Sequence, residues 1–136
     1  YDNLKIGITT GCFDIFHSGH LESLKFAKSN CDILILLLNS DISIKKLKGN
    51  NRPINKLEHR KNLLIQLDFI DLITVFDEKD ATPILDKLNF NILFKGGDYN
   101  IDDLKEKFPN VEIMISNYET DISTTIIENN IKDIKN

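Results

Sequence analysis

The chain has 136 residues, of which 41% are hydrophobic and 28% charged, the make-up of an ordinary globular domain with one core. Seventeen basic and twenty-one acidic residues leave a net charge of −4, which argues against a broad nucleic-acid-binding face but leaves room for a local positive pocket. Two cysteines outside any CxxC pair, and no apolar run longer than "ILILLL" (Ile33–Leu38), argue against a disulfide scaffold and a membrane span; with no leader-like start, the expected setting is the cytoplasm.

In chain order, five short runs rich in Ile, Leu and Val predict strands at Lys5–Thr10, Ile33–Asn39, Leu72–Phe76, Ile92–Lys95 and Val111–Ser116. Their near-continuous apolar character predicts burial on both faces. His20–Ser29 places Leu21, Leu24 and Ala27 on one helical stripe. "KKLKGNNRPINK" (Lys45–Lys56) reads as a basic loop following the second strand. Asn55 and Glu58 have the spacing of a capping box for a helix through Gln66. Asp80 is suited to cap a helix through Leu88, with Pro83 in its first turn, and Ser123 to cap a last helix through about Ile134. This alternation predicts a single Rossmann-like, doubly wound α/β domain over residues 1–136, with a five-stranded, mainly parallel sheet. Such a sheet places ligands beyond the C-terminal ends of its strands.

"TTGCFDIFHSGH" (Thr9–His20) crosses from the first strand into the first helix. Free N–H groups at a helix N-terminus favour anions, a glycine such as Gly19 permits close backbone approach, and imidazoles can donate to phosphate oxygens, adding charge when protonated. His17 and His20 are therefore candidates for holding phosphate; the competing reading is one capping histidine and one half-buried one. A zinc site built on Cys12, His17 and His20 lacks the four ligands a structural site takes. Further candidates follow the later strands: the lysines Lys45, Lys46 and Lys48, the "KGGDY" turn (Lys95–Tyr99) with Gly97 and Asp98, and the hydroxyls of "DISTT" (Asp121–Thr125). Each has a plain alternative as a solvated loop, a tight turn or a helix cap. Their convergence on one edge of the sheet is the stronger signal.

"GCFDIFHSGH" resembles the HxGH signature of the cytidylyltransferase-like nucleotidyltransferases, and "ISTT" (Ile122–Thr125) resembles their second signature. "NSDISIKKLKGNNRPINKLEHR" (Asn39–Arg60) and "KGGDY" are most similar to the adenylyltransferase domain of bifunctional ADP-heptose synthases. The resemblance implies transfer of a nucleoside monophosphate from an NTP, with ATP expected, to a sugar phosphate, with heptose 1-phosphate expected, releasing pyrophosphate with Mg²⁺ riding on the phosphates. It implies catalytic roles for His17, His20 and Lys46, and nucleotide contacts from Gly11, Cys12, Phe13, Gly19, Lys48, Gly97, Asp98, Ser123 and Thr124. Asp14 would be structural or face the acceptor. A homodimer without nucleic-acid or membrane partners, and fusion to a sugar kinase domain in a longer protein, are further expectations of the resemblance. The glycerol-3-phosphate cytidylyltransferases, a sister branch using CTP and a polyol phosphate, carry an arginine before the second signature. Tyr118–Asp121 offers none, which favours ATP, although the usual glycine is absent at Asp121. A non-catalytic nucleotide-binding module is the alternative of another class. An RNA-binding reading, prompted by the related HIGH element of aminoacyl-tRNA synthetases, fits poorly with the acidic balance.

Overall fold

The computed structural model describes residues 3–96 and 100–116. Its strands are β1 (Ile6–Gly11), β2 (Ile33–Asn39), β3 (Leu72–Phe76), β4 (Ile92–Gly96) and β5 (Glu112–Ser116). They form one sheet in the order β3-β2-β1-β4-β5, with every pairing parallel. The helices are α1 (Ser18–Ser29), α2 (Asp41–Lys48), α3 (Leu57–Ile65), α4 (Thr82–Leu85) and α5 (Ile101–Lys107). The expected doubly wound α/β fold is present.

Side-chain alternation explains how each strand serves two layers. Leu34, Leu36 and Leu38 point to the face covered by α1 and α3, where they join Leu24, Ala27 and Leu64. Ile8, Leu37 and Leu93 point to the opposite face and pack with Leu85 of α4 and Leu104 of α5, together with Phe108. Burial of each such leucine contributes about 1.5–3 kcal/mol, enough to make strand register a strong choice. Gly7 is required on the α1 face, because a Cβ there would lie 2.5 Å from the Phe94 ring and 2.9 Å from Cys31 Sγ. The central pair, β1 and β4, is where strand order reverses. Parallel sheets open a crevice at that point.

Several local expectations need correction. β3 is not buried on both faces: it is an edge strand, and Leu72 is 51% exposed. Lys45, Lys46 and Lys48 do not sit in a loop but on α2, capped by the Ser40 hydroxyl and ended at Gly49, whose φ of 100° suits a residue without Cβ. The Asn55–Glu58 capping box does not form; Lys56 is the N-cap of α3, and Asn55 turns instead to Asp14. Asp80 does accept from the Thr82 N–H and hydroxyl, but the helix ends at Leu85, after which Lys87 and Leu88 make tighter three-residue turns. The helix expected from Ser123 lies outside the described residues.

Candidate active site

A cleft of about 900 Å³ runs along the C-terminal edge of the sheet. The terminal residues of all five strands line it: Gly11, Asn39, Phe76, Gly96 and Ser116. Its size is at the upper end of the range for small-molecule sites, which suits two substrates side by side. Among the described residues, four lysines (Lys48, Lys79, Lys95, Lys107) and two aspartates (Asp80, Asp103) line it, an excess of positive charge in a chain of net charge −4. Such a concave, positive site concentrates anions.

On the α1 side, the two histidines cap the helix reciprocally. His17 Nδ1 accepts from the Gly19 N–H at 3.1 Å, and His20 Nδ1 accepts from the His17 N–H at 3.2 Å. A ring nitrogen that accepts carries no proton, so both neutral rings hold theirs on Nε2. The rings stack with centroids 3.8 Å apart, and His20 is also packed by Phe13 at 5.0 Å and Phe16 at 5.6 Å. Burial, then the neighbouring His17 and Lys48 charges, pushes His20 down to about 3, and burial lowers His17 as well. Both imidazoles are therefore neutral at physiological pH. They act as N–H donors, and formal positive charge comes from Lys48. His17 Nε2 is out of contact with water and has no hydrogen-bond partner among the described residues. A buried, unsatisfied donor costs about 1–3 kcal/mol. An anion accepting from it would relieve that cost.

The loop between β1 and α1 is held from below. Phe13 adopts φ 47°, an uncommon conformation for a residue with a side chain, and its buried ring packs with Leu24, Leu36 and Leu64. Asp14 is 2% exposed, and its carboxylate accepts from the backbone N–H groups of Ile54 at 2.9 Å and Asn55 at 2.7 Å. Both oxygens are engaged by the α2–α3 connection, so Asp14 is a structural clamp. Arg60, 1% exposed, donates to the carbonyls of Cys12 (2.9 Å), Asn39 (2.7 Å) and Asn55 (2.9 Å) and to the Asp41 carboxylate (2.8 Å). It ties the ends of β1 and β2 to the start of α2, the helix that delivers Lys48.

Of the residues expected in the site, Gly11, Cys12, Phe13, His17, His20 and Lys48 line the cleft together. Lys46 does not: its ammonium lies 3.5 Å from the Asp77 carbonyl on the exposed side of α2, because the two positions between it and Lys48 turn a helical side chain by about 200°. Gly19 is buried in the first turn with its N–H taken by His17, so it offers no free donor. Gly97, Asp98, Ser123 and Thr124 lie outside the described residues. Sequence reading missed Arg60 and Lys95. Lys95 had a signal, since it falls two residues after the core residue Leu93 and so shares its face.

The parallel, doubly wound sheet and the histidine-capped helix opening at its switch point match the architecture and first signature of the family that the sequence resembles. The chain belongs to the cytidylyltransferase-like family, whose model matches residues 8–132. It is 39% identical over 133 residues to the bifunctional protein HldE of Alcanivorax borkumensis, covering 95% of this chain and 28% of that protein. Against the bifunctional protein HldE of Nitrobacter winogradskyi it is 44% identical over 99 residues, 73% of this chain and 20% of the relative. The chain thus spans between a fifth and just over a quarter of these relatives' length. Among solved structures, the lipopolysaccharide core biosynthesis protein of Thermoplasma volcanium superposes with a TM-score of 0.73 at 25% identity, over 84% of this chain and 97% of that one. Pantoate-β-alanine ligase of Francisella tularensis shares the fold, with a TM-score of 0.65 at 21% identity over 94% of this chain and 69% of that one.

Proposed function

We propose that this domain transfers AMP from ATP to a sugar phosphate, heptose 1-phosphate, and releases pyrophosphate. The observation that carries the reading is the buried Nε2–H donor of His17, unpartnered among the described residues, stacked on a second Nε2–H donor at the N-terminus of α1. Donors fixed before substrate arrives act without reorganisation as charge develops on the transferring phosphoryl group. His17 and His20 would donate to phosphate oxygens, Lys48 would neutralise charge from α2, and the helix N-terminus would add its dipole. The acceptor phosphate is already ionised, so no protein base is needed.

Among the described residues no three His, Cys, Asp or Glu side chains form a metal-binding group, and both Asp14 oxygens are engaged. A Mg²⁺ bound to the nucleotide's phosphate oxygens would neutralise their charge as the substrate arrives. Among the same residues no helix is long and apolar enough to cross a membrane. The length of the bifunctional relatives supports fusion to a sugar kinase domain in the full protein. The deciding experiment measures pyrophosphate release from ATP, CTP and GTP against heptose 1-phosphate and glycerol 3-phosphate. Turnover with ATP and heptose 1-phosphate is the expected result. Turnover only with CTP and glycerol 3-phosphate would transfer the domain to the polyol branch, and tight ATP binding without any turnover would leave a nucleotide-binding module.

A further inference from the structure

The cleft has a second charged wall that the phosphate-transfer machinery does not use. β1 and β4 present Thr10 and Lys95 on the sheet face opposite α1, continuing the alternation that puts Ile8 and Leu93 in the α4/α5 core. Lys95 is partly buried, and its ammonium donates to Thr10 Oγ1 at 2.8 Å. Burial lowers its pKa; Asp80 acts against that shift and Lys107 adds to it, which places both within electrostatic reach. Asp80 itself is pushed up by burial, but donors from Thr82 and the charges of Lys107 and Lys95 outweigh this and keep it ionised. One Asp80 oxygen is occupied by Thr82. Lys48, by contrast, acts on Cys12 and His20, so it belongs to the α1 wall. Among the described residues, Lys48 and Lys95 therefore stand on opposite faces of one sheet edge.

A polyhydroxylated anion fits the Lys95 wall. An ammonium that lines the cleft at a strand end can add a ligand's phosphate to its contact with Thr10, and a neighbouring carboxylate accepts from hydroxyl groups. We propose that Lys95 is the anchor for the acceptor: its ammonium, positioned by Thr10, binds the acceptor's phosphate, while Asp80 receives a sugar hydroxyl. This rests on the nucleotidyl-transfer reading and assigns the acceptor half of it. In the step it serves, an acceptor phosphate oxygen forms a bond to the α-phosphorus with its own electron pair. The bond from that phosphorus to the bridging oxygen of pyrophosphate breaks, and pyrophosphate leaves with that pair. No proton moves. Lys95 offsets the repulsion between two anions that must come into contact, so it is a catalytic residue that touches substrate.

The test is calorimetric titration of heptose 1-phosphate, and separately of ATP, into the wild-type chain and its Lys95→Met and Thr10→Val variants, alongside steady-state pyrophosphate release. Lys95→Met should weaken heptose 1-phosphate binding at least tenfold and raise its KM similarly, with ATP affinity within twofold of wild type. Thr10→Val, nearly isosteric within a strand, should weaken acceptor binding about threefold and gives the result even if Lys95→Met does not fold. Acceptor affinity unchanged in the folded variants, beside normal wild-type turnover, would overturn the assignment and leave the function standing. Lys95-dependent binding of heptose 1-phosphate without turnover would uphold the acceptor site and remove the transferase reading. A wild-type chain that binds no sugar phosphate would overturn both.

Discussion

The two walls of the cleft are built differently. The α1 wall is a closed network: His17 and His20 cap each other, Phe13 packs beneath them, and Arg60 and Asp14 bind the surrounding loops through backbone groups. The α4/α5 wall consists of side chains at the cleft's rim, with Lys95 on a strand and Asp80 and Lys107 exposed on a loop and a helix. A group that must meet the α-phosphorus in one geometry needs donors held by the backbone. A group that selects among acceptors can rely on side chains alone.

The largest expected effect tests the first wall directly. His17→Asn keeps an N-cap acceptor for the Gly19 N–H but deletes the Nε2–H donor, so kcat should fall about 10²–10³-fold with little change in melting temperature. His17→Ala should lose similar activity and about 1 kcal/mol of stability besides, since the cap goes too. Near-normal kcat in the asparagine variant would mean that the motif shapes the helix without taking part in the chemistry.

Arg60→Met should come next, costing about 3 kcal/mol in urea denaturation, because the carbonyls of Cys12, Asn39 and Asn55 and the Asp41 carboxylate lose their partner together. It should also weaken ATP binding while leaving heptose 1-phosphate binding unchanged, the mirror image of Lys95→Met. Equal losses for both ligands would break the division between the walls.

The smallest effect is a pH slope. His20 has its folded pKa pushed down to about 3, below the ordinary 6.5, so between those values the unfolded chain binds more protons than the folded one. The histidine's stability contribution is full above about pH 6.5 and is lost as the pH falls toward about 3. Its share of the slope can reach one proton, about 1.4 kcal/mol per pH unit. Urea midpoints of His20→Asn measured across that window should be flatter than wild type by up to this amount. Parallel curves would show that burial of this imidazole has no linkage to folding.

Much of the fold could be read from local pattern, because the Ile-, Leu- and Val-rich segments of β2 (seven residues) and β3 (five residues) leave little ambiguity about where strands lie. The helix carrying the HxGH residues was equally readable. α2 was harder: its lysines suggested a loop, although Ser40, Ile44 and Leu47 carry a cap and an apolar stripe. The loop reading also put Lys46 beside Lys48, whereas the helix turns the two side chains to different sides. α5 was passed over despite Asn100 as a cap and Ile101 and Leu104 at helical spacing. Arg60 could not have been found this way. Its partners are 5, 19, 21 and 48 residues distant, and three of the four are backbone carbonyls, which leave no trace in residue identity.

That dependence on backbone oxygen has an evolutionary consequence. Every residue type supplies the same carbonyl, so the side chains of Cys12, Asn39 and Asn55 can change without breaking the arginine's hold, while the arginine itself has no substitute that could reach all of them. The α1 wall is thereby held as a block by one pin. The α4/α5 wall, made of independent side chains, can change one position at a time without loosening the other wall.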